Sequence, residues 1–518
     1  MHLREILLRE GRRNARGNAF TYGDRRMTFS QLKERACRLA NALKALGVAR
    51  GDRVGILLYN CFEYPEILWA NFLVGSVAVT LNFRLASEEI VYCQDVSQLK
   101  VLILGREFVE KVEPIRERLA GIQHYILLGD TAAEGKWNYK ALVEKGSPDV
   151  PFFSGDDRDP AVVLFTSGTA AFPKAVVLTH HNLVTAGMIW AADMDIRHGD
   201  NCLVVTPFYH IGAVGYHLAH ALQGSCTTCF PQPAWDPELF LKIVEKERIT
   251  YLYITPGMYR QVFSVPGFSE YDLSSWRTCI TGSEPVPRAT VEEMAEHLPQ
   301  GTIYNAYGLT EASGPTVSVA KGKMALEKAP SVGWPFVNTD IRIMNEAGNE
   351  CQKGETGEIV VRGDQVMWEY LNDPKTTSET LKDGWLYTGD LGQVDEDGFL
   401  YVVDRKKDII ISGGENISSV EVESTLYKHE KIMEAAVIGI PDKKFGEAVC
   451  AVVVPRRGVT LTEEEVVDYC KQKLASYKKP RKVIFADVLP RNPSGKVLKR
   501  ELRKTYAGTD KKVFTGFR

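Results

Sequence analysis

The chain has 518 residues, 44% of them hydrophobic and 25% charged, with a formal net charge of -3. That length can bury more than one core, the composition is globular rather than disordered or fibrous, and the charge balance excludes a general attraction to nucleic acid or anionic membrane. The opening "MHLREILLREGRRNARG" breaks its apolar residues with Arg and Glu, and no later run approaches eighteen apolar residues, so no signal peptide or transmembrane segment is expected and the default location is cytoplasmic.

From Thr28 to about Val150, amphipathic stretches such as "FSQLKERACRLANALKALG" alternate with short apolar runs, "DRVGILLYN" and "KVLILG". The alternation resumes at Ala161 with "AVVLFT", "NCLVVTPF", "ITYLYITP" and "TCITG". Strands alternating with helices predict parallel sheets covered on both faces. Around Gly354 the texture changes to short, Gly-punctuated strands, "GEIVVRG", "GWLYTGD" and "GFLYVVDR", which read as antiparallel β structure. Beyond "DRKKDIIISGGENIS", helices ("SVEVESTLYKHE", "EEEVVDYCKQKL") mix with strands ("EAAVIGIP", "EAVCAVVVP", "KVIFADVLP") in a small α+β domain. The fold class is α/β. A large N-terminal domain, 1–404, has parallel-rich sheets covered by helices plus a small antiparallel β subdomain, and 405–518 form a small α+β C-terminal domain.

The ten cysteines are scattered, which argues against a disulfide framework. Cys226 and Cys229 in "GSCTTCF" form one close pair with no second pair near them, so buried reduced thiols are preferred to zinc or redox chemistry. His217 and His220 in "YHLAH" share a helical face; that spacing suits a metal, but ordinary packing is the preferred reading.

Between two apolar runs lies "TSGTAAFPKA", Thr166–Ala175. A Walker A loop needs Gly-x4-Gly-Lys-Ser/Thr running into a helix. Here Pro173 precedes Lys174 and strand-like "AVVLTH" follows, so that signature fails. The ingredients still suit phosphate: hydroxyls on Thr166, Ser167 and Thr169, a flexible Gly168, and cationic Lys174.

Further along come "GSEP" (Gly282–Pro285), "YNAYGLTE" (Tyr304–Glu311), "YTGD" (Tyr387–Asp390), "DRKKDIIISGGENI" (Asp404–Ile417) and "PRNPSGK" (Pro490–Lys496), in that order. With the Thr166–Ala175 loop this set, spanning about two-thirds of the chain, resembles the adenylate-forming superfamily of acyl-CoA synthetases, luciferases and peptide-synthetase adenylation domains. The resemblance implies an AMP-forming acyl-CoA ligase. A carboxylic acid attacks the α-phosphate of ATP, pyrophosphate leaves, and the thiol of coenzyme A displaces AMP from the mixed anhydride, with Mg²⁺ and preorganised donors stabilising negative charge.

Carried over by position, Tyr307 is expected to stack on adenine, with Gly282, Ser283, Glu284 and Pro285 as the opposite wall and Asn305, Ala306 and Gly308 beside it. Thr310 is expected to donate to the α-phosphate, Glu311 to hold Mg²⁺, Asp390 to accept from the ribose hydroxyls and Arg405 to donate to the same sugar. Lys496 is the expected catalytic lysine, bridging carboxylate and phosphate oxygens. Lys407 matches the hinge about which a mobile C-terminal domain rotates, exchanging Lys496 for the CoA-side segment Ser412, Gly413, Gly414 and Glu415, whose glycines suit close approach to pantetheine. His210 in "TPFYHIG" matches the position beside the reacting carbonyl. Lys478, Lys479, Arg481 and Lys482 either meet the phosphates of coenzyme A or form a solvated basic turn.

The loop departs from the family pattern Thr-Ser-Gly-Thr-Thr-Gly-x-Pro-Lys-Gly: Ala170 replaces the second threonine, while Ala171 and Ala175 replace glycines. Loss of a hydroxyl that donates to phosphate removes about 1.5–3 kcal/mol, and alanine forced to positive φ adds about 1 kcal/mol. Slowed adenylation is therefore expected. By the same resemblance the acyl pocket draws on His210, Ile211, Gly212, Tyr216, Tyr253, Thr255, Gly282, Ser283, Gly308 and Ala312–Pro315, with room for a medium-chain, alicyclic or aromatic monocarboxylate. The alternatives are an adenylation enzyme with another acyl acceptor and a non-catalytic adenylate-binding sensor.

Overall fold

The computed structural model describes residues 1–129, 137–166, 173–231, 233–492 and 496–506. Helices begin where the sequence supplies caps. At Phe29–Ala45, the Thr28 hydroxyl accepts from the Gln31 backbone N–H at 3.3 Å and the Gln31 side chain accepts from Thr28 N–H at 2.9 Å, satisfying two donors that a helix start leaves open.

Two sheets dominate the described residues. One has eight strands in the order Glu369–Tyr370, Lys174–Thr179, Pro160–Thr166, Val77–Thr80, Arg53–Leu57, Val101–Gly105, His124–Leu128 and Trp137–Asn138. The other has nine, running Trp334–Pro335, Gly314–Lys321, Thr302–Leu309, Thr278–Gly282, Tyr251–Tyr253, Asn201–Val204, Cys226–Cys229, Asn18–Tyr22 and Arg25–Thr28. Their interiors are parallel, as the strand–helix alternation predicts. Antiparallel pairings close both edges of the nine-stranded sheet and one edge of the eight-stranded one, and hairpins are antiparallel because a connection as short as that from Thr166 to Lys174 cannot span a parallel crossover of about a dozen residues.

One core joins the two sheets: Ile56, Ala78 and Val176 of the first share a cluster with Val204, Tyr251 and Ile280 of the second. The helix Ile211–Leu222 runs through it with every residue buried, which explains why its sequence is apolar nearly all round. His217 on this helix accepts from Trp69 Nε1 at 2.9 Å, and its other ring nitrogen lies 3.1 Å from Thr227 Oγ1. It is a core histidine, not a metal ligand. All ten cysteines are free, and Cys226 and Cys229, three apart on a strand, point to opposite faces.

A third sheet of five antiparallel strands contains Gly357–Arg362, Trp385–Val394 and Leu400–Arg405. A fourth, built on Ile432–Asp442 and Gly446–Pro455, has its own core: Val422, Leu426 and Val466 cover one face, Leu502 and Tyr506 the other. Among the described residues no helix is long and apolar enough to cross a membrane.

Candidate active site

Parallel pairing of Thr278–Gly282 with Thr302–Leu309 sets Gly282 opposite Ala306. A Cβ on Gly282 would fall 2.2 Å from the Ala306 carbonyl oxygen, so backbone alone closes this wall. Ser283 follows at φ 67, its hydroxyl against that of Tyr253, and Pro285 is exposed. Asn305 is buried and donates to the Ser331 carbonyl at 2.9 Å. Gly308 is just as constrained: a Cβ there would lie 2.0 Å from the Gly314 oxygen.

Tyr307 donates its hydroxyl proton to Asp390 Oδ2 at 2.7 Å, and Asp390 Oδ1 lies 3.0 Å from Arg405 Nε. Asp390 and Arg405 are register partners on adjacent antiparallel strands, so their side chains project to one face. Burial, reinforced by the Asp390 charge, pushes the Tyr307 phenol well above its usual range, so it remains a donor. The result is an aromatic shelf ending in a carboxylate that a guanidinium holds in place.

A second line forms at the eight-stranded sheet. Thr166 pairs with Lys174 at the base of its hairpin. The Lys174 ammonium sits 4.6 Å from the Tyr370 ring centroid, and the Tyr370 hydroxyl donates to Glu311 Oε1 at 2.8 Å. Glu311 is half-buried in the short turn Thr310–Ala312. Ser167, Gly168, Thr169, Ala170 and Ala171 lie outside the described residues. Ala175 does not: it is buried within the strand Lys174–Thr179, opposite Phe165, with its carbonyl accepting from Leu371 N–H at 2.8 Å. Its extended backbone corrects the expectation of left-handed strain there, since alanine adopts a strand conformation freely.

Among the described residues no group of three or more His, Cys, Asp or Glu is arranged to hold a metal. A single oriented carboxylate at Glu311 fits Mg²⁺, which takes one or two protein carboxylates and draws its remaining oxygens from phosphates and water.

Lys496 is half-buried in the same cleft. Its backbone is fixed on both sides by Asn492, with Lys496 N–H donating to Asn492 Oδ1 at 2.8 Å and Asn492 N–H donating to the Lys496 carbonyl at 2.8 Å. Burial pushes its amine down to about 8, helped by the positive charge of Arg405 and opposed by Asp390. His210 caps the helix Ile211–Leu222, its Nδ1 accepting from Gly212 N–H at 3.1 Å, which leaves the ring proton on Nε2. Burial, then the Lys496 charge, pushes this imidazole down to about 4. Outside the cleft, Arg491 ion-pairs Glu284 at 3.3 Å and Glu434 at 3.1 Å, and Arg260 lies 4.3 Å over the Tyr427 ring. These contacts join the C-terminal region to the body.

A family model described as AMP-binding enzyme matches residues 8–371, and one described as AMP-binding enzyme C-terminal domain matches 421–496. The chain belongs to the adenylate-forming AMP-binding enzymes. It is 38% identical over 501 residues to a feruloyl-CoA synthase of Amycolatopsis sp, covering 96% of this chain and 98% of that protein. With the long-chain-fatty-acid–CoA ligase FadD13 of Mycobacterium tuberculosis it shares 35% identity over 488 residues, 94% of each chain. The crystal structure of the anthranilate CoA ligase AuaEII in complex with anthranoyl-AMP superposes with a TM-score of 0.92 at 27% identity, covering 98% of this chain and 97% of that one.

In this AMP-binding enzyme the geometry gathers Tyr307, Asp390, Arg405, Lys496 and His210, and separately Lys174 and Glu311. It does not bring Ser412–Glu415 to them. Ser412 pairs with Glu415 across Gly413 (φ 63) and Gly414 (φ 87), and two positive φ values are what a tight hairpin turn demands. The glycines thus serve the turn, and Gly413 N–H donates to the Phe445 carbonyl at 2.7 Å. Lys407 lies two residues past the end of the strand Leu400–Arg405, and burial lowers its amine below the ordinary lysine value. Of the basic cluster, Lys478 pairs with Glu421 at 2.7 Å and Arg481 lies 3.8 Å over Phe445. Tyr370 and Arg491 escaped the sequence reading. "WEYLND" carries no motif, and only strand pairing brings Tyr370 beside Lys174.

Proposed function

We propose that this enzyme is an acyl-CoA ligase that activates a monocarboxylic acid with ATP and passes the acyl group to coenzyme A. The observation that supports this most is Lys496, half-buried in the cleft that Asp390, Arg405 and His210 share. In this reading Tyr307 and the Gly282–Pro285 backbone hold adenine, and Asp390 and Arg405 hold the ribose. Lys174 and Thr310 meet phosphates, while Glu311 holds Mg²⁺, which supplies positive charge to the triphosphate. Lys496 approaches the oxygen atoms that join acid and α-phosphate and stabilises their charge as the acyl-adenylate forms. His210 stays neutral and packs at the reacting end of the acyl pocket.

The C-terminal domain then turns about Lys407, withdrawing Lys496 and bringing Ser412–Glu415 to the thiol's approach. The two relatives act, by their names, on a feruloyl and a long-chain acid, and the structural neighbour holds an anthranoyl group. Together with Gly212, Gly308 and Gly314, this favours medium-chain, alicyclic or aromatic acids. The Ala170 substitution leaves adenylation slowed rather than lost. The test is AMP and thioester formation across a panel of carboxylic acids. Turnover that requires both acid and coenzyme A supports the ligase. AMP release with acid alone points to another acceptor, and tight nucleotide binding without turnover to a sensor.

A further inference from the structure

Tyr370 touches two charged groups at once. Its hydroxyl donates to Glu311 Oε1 at 2.8 Å, and the Lys174 ammonium lies 4.6 Å from its ring centroid, where the ring's quadrupole attracts a cation. Tyr370 is 4% exposed, whereas Lys174 and Glu311 are half-buried. The charged groups, not the tyrosine, are the ones open to a ligand.

Backbone fixes this tyrosine from two directions. Trp368 N–H donates to the Val177 carbonyl at 3.0 Å and Leu371 N–H to the Ala175 carbonyl at 2.8 Å, which ties the segment to the strand Lys174–Thr179. Met367 N–H donates to the carbonyl of Glu311 itself at 2.7 Å. Residues 367–371 are therefore a strap between the eight-stranded sheet and the turn Thr310–Ala312, which leaves the nine-stranded sheet after Leu309. Tyr370 sits on that strap between the two charges. Among the described residues Lys174 and Glu311 form no ion pair with each other or with any other side chain. An ammonium and a carboxylate sharing a cleft attract one another, and a direct pair would have to break before phosphate and metal could take its place.

We propose, resting on the nucleotide-binding reading above, that Tyr370 is a positioning residue for Mg·ATP: its hydroxyl orients Glu311 for the metal, and its ring holds Lys174 apart from Glu311 for the phosphates. The hydroxyl takes up Oε1 and leaves Oε2, to which no described residue donates, as the oxygen for the cation. A carboxylate that is already hydrogen-bonded is oriented before it meets a metal, and removing such an outer partner costs about 10- to 100-fold in affinity.

Calorimetric titration without any acid present, using ATP with Mg²⁺, ATP in excess chelator, and AMP, gives three values of Kd for each variant. Tyr370→Phe keeps the ring and loses the hydroxyl, so Kd for Mg·ATP should rise about tenfold or more while metal-free ATP and AMP bind as before. Tyr370→Leu also releases Lys174, so metal-free ATP should weaken too, by about 2- to 5-fold. AMP carries neither the outer phosphates nor the metal, and a general loss of packing would weaken all three ligands alike. Beside Glu311→Gln, Tyr370→Phe should add nothing to the loss of Mg·ATP, because it acts through that carboxylate. A Tyr370→Phe variant that binds Mg·ATP as the wild type does, that weakens AMP equally, or whose loss persists in full beside Glu311→Gln overturns the proposal and leaves the nucleotide site standing. Wild-type protein that binds neither ATP nor AMP defeats the reading on which it rests.

Discussion

Replacing Lys496 by methionine separates two roles that one side chain combines. In the docked pose its amine is pushed from 10.5 down to about 8, which corresponds to about 3 kcal/mol against the charged form. The docked pose therefore holds fewer protons than an undocked one between about pH 8 and 10.5. Docking is penalised progressively as pH falls through that window, and below about 8 it carries the whole cost. On the proposed reading, the carboxylate and phosphates of bound substrates offset it. Lys496→Met should dock without ligand at neutral pH up to about 100-fold more readily. It should nonetheless lose adenylation, because two charge-assisted hydrogen bonds at about 1.5–3 kcal/mol each amount to roughly 10²–10⁴ in rate. Acid-dependent ATP–pyrophosphate exchange reads the first half-reaction, thioester formation from supplied acyl-adenylate the second, and a donor–acceptor dye pair across the two domains reads docking. Undiminished exchange, equal losses in both half-reactions, or wild-type docking indifferent to pH between 7 and 10 would refute the reasoning.

Asp390→Asn removes the charge that holds Arg405 and receives Tyr307; KM for ATP should rise about tenfold or more, and an unchanged KM would remove Asp390 from the ribose site. Gly308→Ala drives a Cβ to 2.0 Å from the Gly314 oxygen and 2.7 Å from Pro315 Cα. Backbone cannot yield there, so thermal denaturation should show a loss of about 2–4 kcal/mol. Ala170→Thr should raise pyrophosphate exchange about tenfold or more, whereas Ala175→Gly should only destabilise, by about 0.5–1 kcal/mol, because the residue sits inside a strand. His210, pushed down to about 4, is protonated only as pH falls through that value. The adenylation profile should therefore show no imidazole limb near pH 6.5, and one that vanished in His210→Asn would contradict this.

The sheets were legible because their strands are buried on both faces and read as unbroken apolar runs, "VLILG" and "AVVLFT" among them. Tyr307, Asp390, Arg405 and Lys496 were legible because each sits in a short motif of unusual composition. What stayed hidden depends on long-range pairing. Tyr370 reaches Glu311 only because Glu369–Tyr370 adds to the edge of a sheet built from residues two hundred positions earlier. His217 and His220 look alike in "YHLAH", yet one is satisfied by Trp69 and Thr227 and the other is not; spacing along a helix cannot say what packs against it. The glycines of "SGGEN" form a turn with two positive φ values, a geometry that depends on the pairing of Ser412 with Glu415 and that composition alone does not show.

His217 also has a mechanical consequence. With one ring nitrogen bonded to the helix Tyr64–Val74 and the other to the strand Cys226–Cys229, it pins the helix Ile211–Leu222 from two sides. A helix anchored in that way keeps its place when side chains on its other faces are exchanged. On the proposed reading, in which Tyr216 borders the acyl pocket, remodelling which acids are accepted becomes a matter of swapping shapes there, with the scaffold behind acting as a rigid mould.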